Sequence, residues 1–182
     1  MHFTPTPLAD VFEISTQWHE DERGAFGRPF CAREFAAHGL ATGFVQCSFS
    51  RNRRRATLRG LHLQADPQHE AKLIYCTTGR IFDVAVDLRP GSSTFGRFHA
   101  VELVGGEGRM LYIPEGCAHG FQTLQDNSDV IYHISAFYEP GATRGVRWDD
   151  PALGIAWPLP DAAIISARDR ALPSLADYDA AQ

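Results

Sequence analysis

The pattern of hydrophobic and polar positions along the chain is dominated by short apolar runs separated by turn residues. The runs are rich in β-branched and aromatic residues, as strands are: VFEIS, LIYCT, IFDVAVDL, FHAVELV, MLYIP and VIYHISAFY. The stretches between them carry glycine, proline, asparagine and aspartate: TTGR, RPGSSTFG, GGEG, PEG, QDNSD and EPGATRG. This spacing predicts an all-β fold of antiparallel strands, a sandwich or a barrel, of which the jelly roll is one form.

Helical patterns are scarce, which places helices at the periphery. AREFAAHG predicts about two helical turns that end at Gly39, since glycine suits a helix C-terminus. The proline-containing end, WPLPDAAIISARDRALPSLADYDAAQ, is expected to wrap around the sheets, with its last few residues mobile. We find no repeat or linker, so residues 1–182 are expected to form a single domain.

Composition narrows the classes of function. A length of 182 residues supplies one well-formed core. The net charge of −5 argues against general nucleic-acid or anionic-membrane binding. The chain shows no signal-peptide pattern and no apolar stretch near the ~18 residues of a membrane helix. The four cysteines lack C-x-x-C spacing, which favours free thiols and a cytoplasmic protein.

The stretch RGLHLQADPQHEAKLIYCTTGR concentrates chemically active residues. In a strand, His62 and Gln64 point to one face. A lone histidine there is most often a satisfied lining residue. Downstream, GRMLYIPEGCAHG resembles the second cupin motif through its spaced residues Gly108, Pro114, Gly116 and His119. The first cupin motif carries H-x-H, but here Gln64 replaces the second histidine, and glutamine is a poor ligand for transition metals. We therefore expect no metal, which leaves His62 free for proton chemistry.

Lys72 is unusual because it is the chain's single lysine among 17 lysines and arginines. Lysine is a compact point charge whose proton affinity responds to burial, whereas arginine stays charged. The alternative is a surface residue that happens to be lysine. Its position at the opening of a predicted strand, ten residues after His62, favours a role in a site.

Three further residues have structural alternatives of their own. Tyr132 alternates with Val130 on one strand face, where a core tyrosine with a satisfied hydroxyl is the commoner case. Asp169 follows Ser166 by three residues, where a helix-capping role competes. Most arginine runs are solvated loops, but Arg59 in RNRRRATLR is well placed to bind a phosphate bidentately.

Taken together, the motifs resemble one family over nearly the whole chain. They are DERGAFGRPF, FVQCSFS, LRGLHLQ, AKLIYCTTGRIFDVAVDLRPGSSTFGRF, LYIPEGCAHGFQTL, RWDDPALGIAWP and ISARDR. The chain resembles the dTDP-4-dehydrorhamnose 3,5-epimerases, which are cupin-fold nucleotide-sugar epimerases. The resemblance implies a cupin-type jelly-roll barrel and an enzyme that works without metal or other cofactor.

The resemblance also implies roles for individual residues. His62 would be the general base, Asp169 its orienting carboxylate, Lys72 the group that stabilises an enolate, and Tyr132 the general acid. The residues implied for substrate binding are Arg23, Phe26, Arg28, Gln46, Ser48, Arg59, His119, Tyr138 and Arg168.

Two departures from the family pattern concern the nucleotide. Arg28 stands where the family usually carries a glutamate near the base, and the family's Q-x-N pair is here Gln46 and Ser48. Arginine cannot accept a hydrogen bond, so we expect weaker discrimination for thymine. The family also exchanges N-terminal strands between two subunits, which implies a homodimer with the site near the interface.

The expected function is epimerisation at C3, C5 or both of a nucleoside-diphosphate 4-keto-6-deoxyhexose. The leading substrate is dTDP-4-dehydro-6-deoxyglucose. A mono-epimerase acting on a CDP-, GDP- or UDP-linked sugar is the first alternative. A nucleotide-sugar 3,4-ketoisomerase, a metal-dependent cupin oxygenase and a non-catalytic sugar-binding cupin are further alternatives.

Overall fold

The computed structural model describes residues 1–179, and the last residues, 180–182, where mobility is expected from the sequence, lie outside it. Its strands are β1 His2–Pro5, β2 Phe12–Ser15, β3 Trp18–Asp21, β4 Gly24–Gly27, β5 Gln46–Asn52, β6 Leu58–Gln64, β7 Lys72–Thr78, β8 Arg80–Asp87, β9 Phe98–Val104, β10 Arg109–Ile113, β11 Cys117–Thr123, β12 Ser128–Ile134 and β13 Thr143–Gly145. Its helices are α1 Ala32–Ala37, α2 Ala167–Arg170 and α3 Leu175–Asp179, with a 3₁₀ turn at Pro140–Ala142.

Two antiparallel sheets make up the body of the molecule. One has the order β1-β2-β10-β7-β12-β5 and the other β13-β6-β11-β8-β9, while β3 and β4 form a separate hairpin. The predicted all-β antiparallel class with short peripheral helices is confirmed. Within residues 1–179 the two sheets share no ladder, so the jelly roll is an open sandwich and its barrel is not closed.

The core lies between the two sheets. Alternate residues of each strand point inward, which brings apolar side chains of both sheets into one cluster. Its strand members are Ile74, Cys76, Ile81, Ala85, Val101, Leu103, Leu111, Ile113, Cys117, Phe121 and Val130. Tyr132 packs against the edge of this cluster, where apolar side chains give way to polar ones.

The outer face of each sheet is covered by chain from one terminus. On the five-stranded sheet, Leu61 and Leu63 of β6 pack against the C-terminal residues Val146, Leu153, Trp157 and Tyr178. On the six-stranded sheet, Leu73 and Met110 pack against α1 through Phe35. The C-terminal segment therefore wraps around the sheet as predicted, and the central strand β11 is buried along its whole length.

Local predictions and structure differ in extent. The helix predicted in AREFAAHG forms as α1, and Gly39 just beyond it adopts a φ of 72°, a conformation that glycine adopts without strain. The strand predicted over 130–138 ends at Ile134, because that residue pairs with Gln46 and Lys72, the residues at which the two antiparallel neighbours begin. No helix among the described residues is long and apolar enough to cross a membrane.

Candidate active site

A cavity of about 980 Å³ opens between the sheets, beside the apolar core. One wall comes from the five-stranded sheet through β6 and β11, and the facing wall comes from β5, β7 and β12 of the other sheet. Its lining includes ten of the residues that the sequence nominates: Gln46, Ser48, Arg59, His62, Lys72, His119, Tyr132, Tyr138, Arg168 and Asp169. The fold therefore assembles in one place the residues that the motifs scatter over 124 positions, from 46 to 169.

His62 and Asp169 form a hydrogen-bonded pair at the cavity wall. His62 Nε2 lies 2.9 Å from Asp169 Oδ1. A carboxylate only accepts, so Nε2 carries the hydrogen and Nδ1 is left unprotonated in the neutral ring. The imidazole is thereby held in the tautomer of a base whose Nδ1 can take a proton, and a negative charge behind it stabilises the imidazolium that results.

Asp169 is itself held by its surroundings. The Asp169 backbone N–H donates to Ser166 Oγ at 3.0 Å, which caps α2, and Oδ2 accepts from the Gly60 N–H at 3.2 Å. Burial alone would raise the pKa of Asp169, but the hydrogen bond and charge of His62, with the Gly60 amide, outweigh it and lower that pKa. Helix capping was the structural alternative for Asp169, but the cap of α2 is the side chain of Ser166. The carboxylate of Asp169 is therefore available to His62.

A bulge in β6 sets the direction of the cavity-facing side chains. His62 pairs with His119 and Arg59 pairs with Phe121, so β6 uses one residue more than β11 over this step. In a regular strand, residues three apart point to opposite faces. The extra residue corrects this alternation, and both Arg59 and His62 line the cavity.

Lys72 opens β7 on the facing sheet, and it is buried. Its Nζ lies 2.8 Å from Glu70 Oε1 and donates to the carbonyl oxygen of His62 at 3.2 Å. The ammonium thus bridges the two walls of the cavity close to the base. At a buried position, a fixed cation stabilises developing negative charge more strongly than it would in solvent.

Tyr132 stands on β12, in the wall opposite His62. Burial raises the pKa of Tyr132 well above its ordinary value, the charge of Asp83 adds to the rise, and that of Arg59 opposes it. The phenol therefore keeps its proton until a strongly basic atom is presented to it. Base and acid approach the same space from opposite sheets.

A second histidine–carboxylate pair lies behind the first. His119 Nε2 is 2.7 Å from Asp83 Oδ1, both residues are buried, and the His119 ring meets Tyr132 edge-on with centroids 5.6 Å apart. Asp83 Oδ2 has no hydrogen-bond partner in the described part of the chain. This pair holds His119 against the cavity and keeps a negative charge next to the Tyr132 phenol.

A hydrogen bond to the buried Asn52 orients the side chain of Arg59. Its Nε donates to Asn52 Oδ1 at 3.0 Å, and Asn52 Nδ2 in turn donates to the carbonyls of Ser128 and Ser50. This leaves both terminal guanidinium nitrogens of Arg59 for the cavity. They present the planar pair of donors that suits a phosphate.

The outer rim of the cavity carries an aromatic platform. Tyr138 is 53% exposed, its backbone N–H donates to Gln46 Oε1 at 2.8 Å, and it lines the cavity together with Ser48 and Arg168. Hydrogen bonds from Thr143 and Arg168 lower the pKa of Tyr138. An exposed ring anchored by its own backbone offers a flat surface to a planar ligand.

Gln64, the residue that replaces a cupin histidine, is committed to the backbone. Its Oε1 accepts from Glu139 N–H at 2.7 Å, and its Nε2 donates to the carbonyls of Gln68 and Phe137, each at 3.2 Å. The amide fastens β6 to the segment that carries Tyr138. Gln64 thus makes two donor bonds and one acceptor bond, whereas a neutral histidine ring offers one donor and one acceptor.

Arg23, Phe26 and Arg28 lie apart from this cavity. They belong to the β3–β4 hairpin and the residues beside it, where Phe26 is 72% exposed. Phe26 and Arg28 line a small separate cleft of about 150 Å³, with Met1 and Glu34. In the isolated chain these three residues therefore do not join the other nominated residues.

Sequence reasoning missed three residues that act through their neighbours. Asn52 holds Arg59, Glu70 holds Lys72, and Asp83 holds His119. The signal for Asp83 was a charge inside the apolar run IFDVAVDL, and Glu70 stands two positions before the single lysine. Asn52 carried no signal within its arginine-rich segment.

Comparison with known proteins agrees with this architecture. The family model for dTDP-4-dehydrorhamnose 3,5-epimerase matches residues 5–177. A relative of that name from Sinorhizobium fredii is 39% identical over 177 residues, covering 97% of this chain and 91% of its own. Another from Pseudomonas aeruginosa is 40% identical over 180 residues, covering 98% of both chains.

Solved structures of such epimerases have the same fold as this chain. The dTDP-4-dehydrorhamnose 3,5-epimerase of Elizabethkingia anophelis superposes with a TM-score of 0.94 at 38% identity, covering 97% of both chains. The Legionella pneumophila epimerase in complex with dTDP-4-keto-L-rhamnose has a TM-score of 0.92 at 37% identity, covering 99% of this chain and 95% of that one. A 3′-monoepimerase from Streptomyces bikiniensis, in complex with dTDP-quinovose, has a TM-score of 0.88 at 33% identity. The match covers 97% of this chain and 88% of that one.

The cupin-type fold and the named relatives place the chain in the class of nucleotide-sugar epimerases. The match over residues 5–177 is more specific than the class. The chain belongs to the dTDP-4-dehydrorhamnose 3,5-epimerase family.

Proposed function

We propose that this protein epimerises dTDP-4-dehydro-6-deoxyglucose at C3 and C5, giving dTDP-4-dehydrorhamnose. The observation that carries the proposal is the position of His62, paired with Asp169, on one sheet and of Tyr132 on the other, in a single cavity. Membership of the family supports the reaction and the dTDP substrate. The family match over residues 5–177 also supports a single epimerase domain over the whole chain.

The reaction starts with loss of a proton from carbon. The 4-keto group acidifies the hydrogens on C3 and C5, because the carbanion left behind is an enolate. His62 Nδ1 takes the proton, and Asp169 stabilises the imidazolium that forms. Lys72 stabilises the negative charge on the enolate oxygen.

Inversion requires the new proton to arrive on the opposite face of the ring. Tyr132 supplies it, because it reaches the cavity from the sheet opposite to His62. Its raised pKa makes the phenol a weak acid, which suits a step whose acceptor is a strongly basic enolate carbon. Arg59, whose charge opposes the rise in the pKa of Tyr132, steadies the phenolate that remains.

The nucleotide lies at the rim in this proposal. Arg59 binds the diphosphate through its free guanidinium nitrogens, and the exposed ring of Tyr138 stacks on the base. Gln46, Ser48, His119 and Arg168 complete the substrate contacts. A nucleotide sugar is the partner this arrangement suits, and the four unpaired cysteines support a cytoplasmic location.

The hairpin formed by β3 and β4 supports a homodimer with exchanged N-terminal strands. Its large apolar side chains are exposed in the isolated chain, Trp18 by 42% and Phe26 by 72%. Exchange would bring Arg23, Phe26 and Arg28 of one subunit to the cavity of the other. Arg28 is then the residue from which we expect reduced discrimination for thymine, since its guanidinium offers donors only.

The deciding experiment is incubation with dTDP-4-dehydro-6-deoxyglucose in deuterated water. We expect deuterium at both C3 and C5 of the product, by proton and deuterium NMR. Deuterium at C3 alone would make the protein a mono-epimerase, the activity named for the Streptomyces bikiniensis neighbour. If neither C3 nor C5 takes up deuterium, the proposed function is refuted. The same 4-keto sugar on UDP, CDP and GDP, compared by kcat/KM, tests the nucleotide.

A further inference from the structure

The cavity contains a buried carboxylate to which the mechanism above gives no role. Glu70 is 9% exposed, lines the cavity beside His62 and Lys72, and places Oε1 2.8 Å from Lys72 Nζ. Burying an ion pair is costly, so such a pair is weak evidence for a contribution to stability alone. Its position against a cation that donates to the backbone of the base points to a contribution to the reaction.

The ammonium of Lys72 has three hydrogens, and the structure accounts for two. One is directed to Glu70 Oε1 and one to the carbonyl oxygen of His62, at 2.8 Å and 3.2 Å. These acceptors stand on different parts of the fold, one in the segment before β7 and the other in β6. Because the ammonium is tetrahedral, fixing two of its N–H directions also fixes the third.

We propose that Glu70 is a positioning residue that aims the remaining N–H of Lys72 at the enolate oxygen. This rests on the proposed function, in which Lys72 stabilises that oxygen. A free lysine side chain samples many rotamers, and ordering it during the reaction would raise the barrier. Glu70 orders it in advance of the reaction.

The charge of Glu70 works against its position. A carboxylate beside the ammonium weakens the positive field felt by the enolate, so the useful contribution is the acceptor oxygen and not the negative charge. Glutamine keeps an acceptor oxygen in the same place and loses the charge, whereas alanine loses both. Glu70→Gln and Glu70→Ala therefore separate positioning from electrostatics.

A first test observes Lys72 directly and needs no activity. Because Lys72 is the only lysine, ¹³C-lysine labelling yields a single Cε signal. We expect a rigid Cε methylene in the wild type and in Glu70→Gln, and an order parameter reduced to about half in Glu70→Ala. A lysine as rigid in Glu70→Ala as in the wild type would overturn the proposal, and so would a mobile lysine in the wild type.

The second test is kinetic. We expect kcat of Glu70→Ala to fall about 100-fold with KM changed less than about threefold, while Glu70→Gln stays within about threefold of the wild type. In a Lys72→Met background, Glu70→Ala should change kcat less than about twofold, because a positioning residue acts through its partner. The exposed Glu115, outside this cavity, supplies the control Glu115→Ala.

The kinetic outcomes are distinct. Wild-type kcat in Glu70→Ala, or equal losses in Glu70→Gln and Glu70→Ala, would overturn the positioning role. A wild-type protein that exchanges no deuterium would refute the proposed function instead. In that case the lysine dynamics alone would decide whether Glu70 orders Lys72.

Discussion

At the scale of single residues, the candidate mechanism depends on which atom of each polar group is already engaged. Asp169 accepts a hydrogen bond from Nε2–H of His62, and Asn52 accepts one from Nε–H of Arg59. In each pair a buried acceptor uses one donor and leaves the reactive atoms of its partner facing the cavity. Such preorganisation is what makes a polar group effective in a transition state, since no solvent must reorganise.

Replacement of the base is the first prediction. We expect His62→Ala to abolish deuterium exchange at both C3 and C5, with a loss of at least about 10³-fold, because one base serves both carbons. Asp169→Asn should also lose most activity, because an amide has one acceptor oxygen for the two donors His62 Nε2–H and Gly60 N–H, and it does not stabilise the imidazolium. Exchange retained at either carbon in His62→Ala would instead identify a second base, for which His119 with Asp83 is the candidate.

Replacement of the acid should separate deprotonation from inversion. Tyr132→Phe removes the phenolic proton and leaves His62 intact, so we expect the substrate to exchange its C3 hydrogen with solvent within about tenfold of the wild-type rate. Inversion at C3 should fall by about 10²–10⁴-fold. The two rates are read by NMR from one reaction mixture. Wild-type inversion in this variant would remove Tyr132 from the role of acid.

The sequence was informative about residues that belong to motifs and uninformative about those that support them. His62, Lys72, Tyr132 and Asp169 could be nominated in advance because a motif or an unusual residue type marked each of them. Glu70 was not nominated, although it stands two positions before Lys72, because its role depends on a contact of 2.8 Å that spacing alone does not show. Arg28 was nominated by resemblance, yet in the isolated chain it lines a different cleft.

At the scale of secondary-structure elements, the paired strands β6 and β11 approach each other closely where β6 bulges. Gly60 has a φ of 124°, and a Cβ placed there would lie 2.5 Å from Gly120 Cα. Only glycine fits both the backbone angle and the space. Because the bulge directs Arg59 and His62 into one cavity, the glycine has a functional as well as a structural consequence.

A methyl group on Gly60 is therefore expected to destabilise the fold. Gly60→Ala should lower the free energy of unfolding by roughly 2–6 kcal/mol, from backbone strain and overpacking of about 1–3 kcal/mol each. Chemical denaturation measures the loss. Gly43→Ala is the matched control, since nothing lies within 4 Å of its Cβ and it should leave the unfolding free energy nearly unchanged. Equal stability of the two variants would contradict the close approach.

Strand prediction succeeded where β-branched residues dominate and failed where they do not. IFDVAVDL, with Ile81, Val84 and Val86, predicted β8, whereas CAHGFQT formed β11, a strand without a β-branched residue until Thr123. All seven residues of β11 are buried, because the strand lies in the middle of its sheet. Tertiary position overrode local preference there. The bulge in β6 was equally hidden, since it depends on pairing between distant strands.

At the scale of the whole molecule, the exposed hairpin is the feature that the isolated chain does not explain. If it completes a partner's site, Phe26→Asp should convert the dimer to single chains and raise KM for the nucleotide sugar at least about tenfold, because a buried unpaired carboxylate opposes association. Light scattering and steady-state kinetics test both effects. Ala162→Asp, on an exposed turn of the C-terminal segment, is the control. An unchanged dimer with unchanged KM would argue against strand exchange.

The core between the sheets has a consequence for stereochemistry. His62 stands on one sheet and Tyr132 on the other, and packed sheets lie about 10 Å apart. Side chains such as Ile74, Phe121 and Val130 act as the spacer that sets the gap into which a sugar ring must fit. Under the proposed mechanism, the choice between inverting a stereocentre and returning it to its starting hand therefore depends on apolar side chains that do not themselves line the cavity.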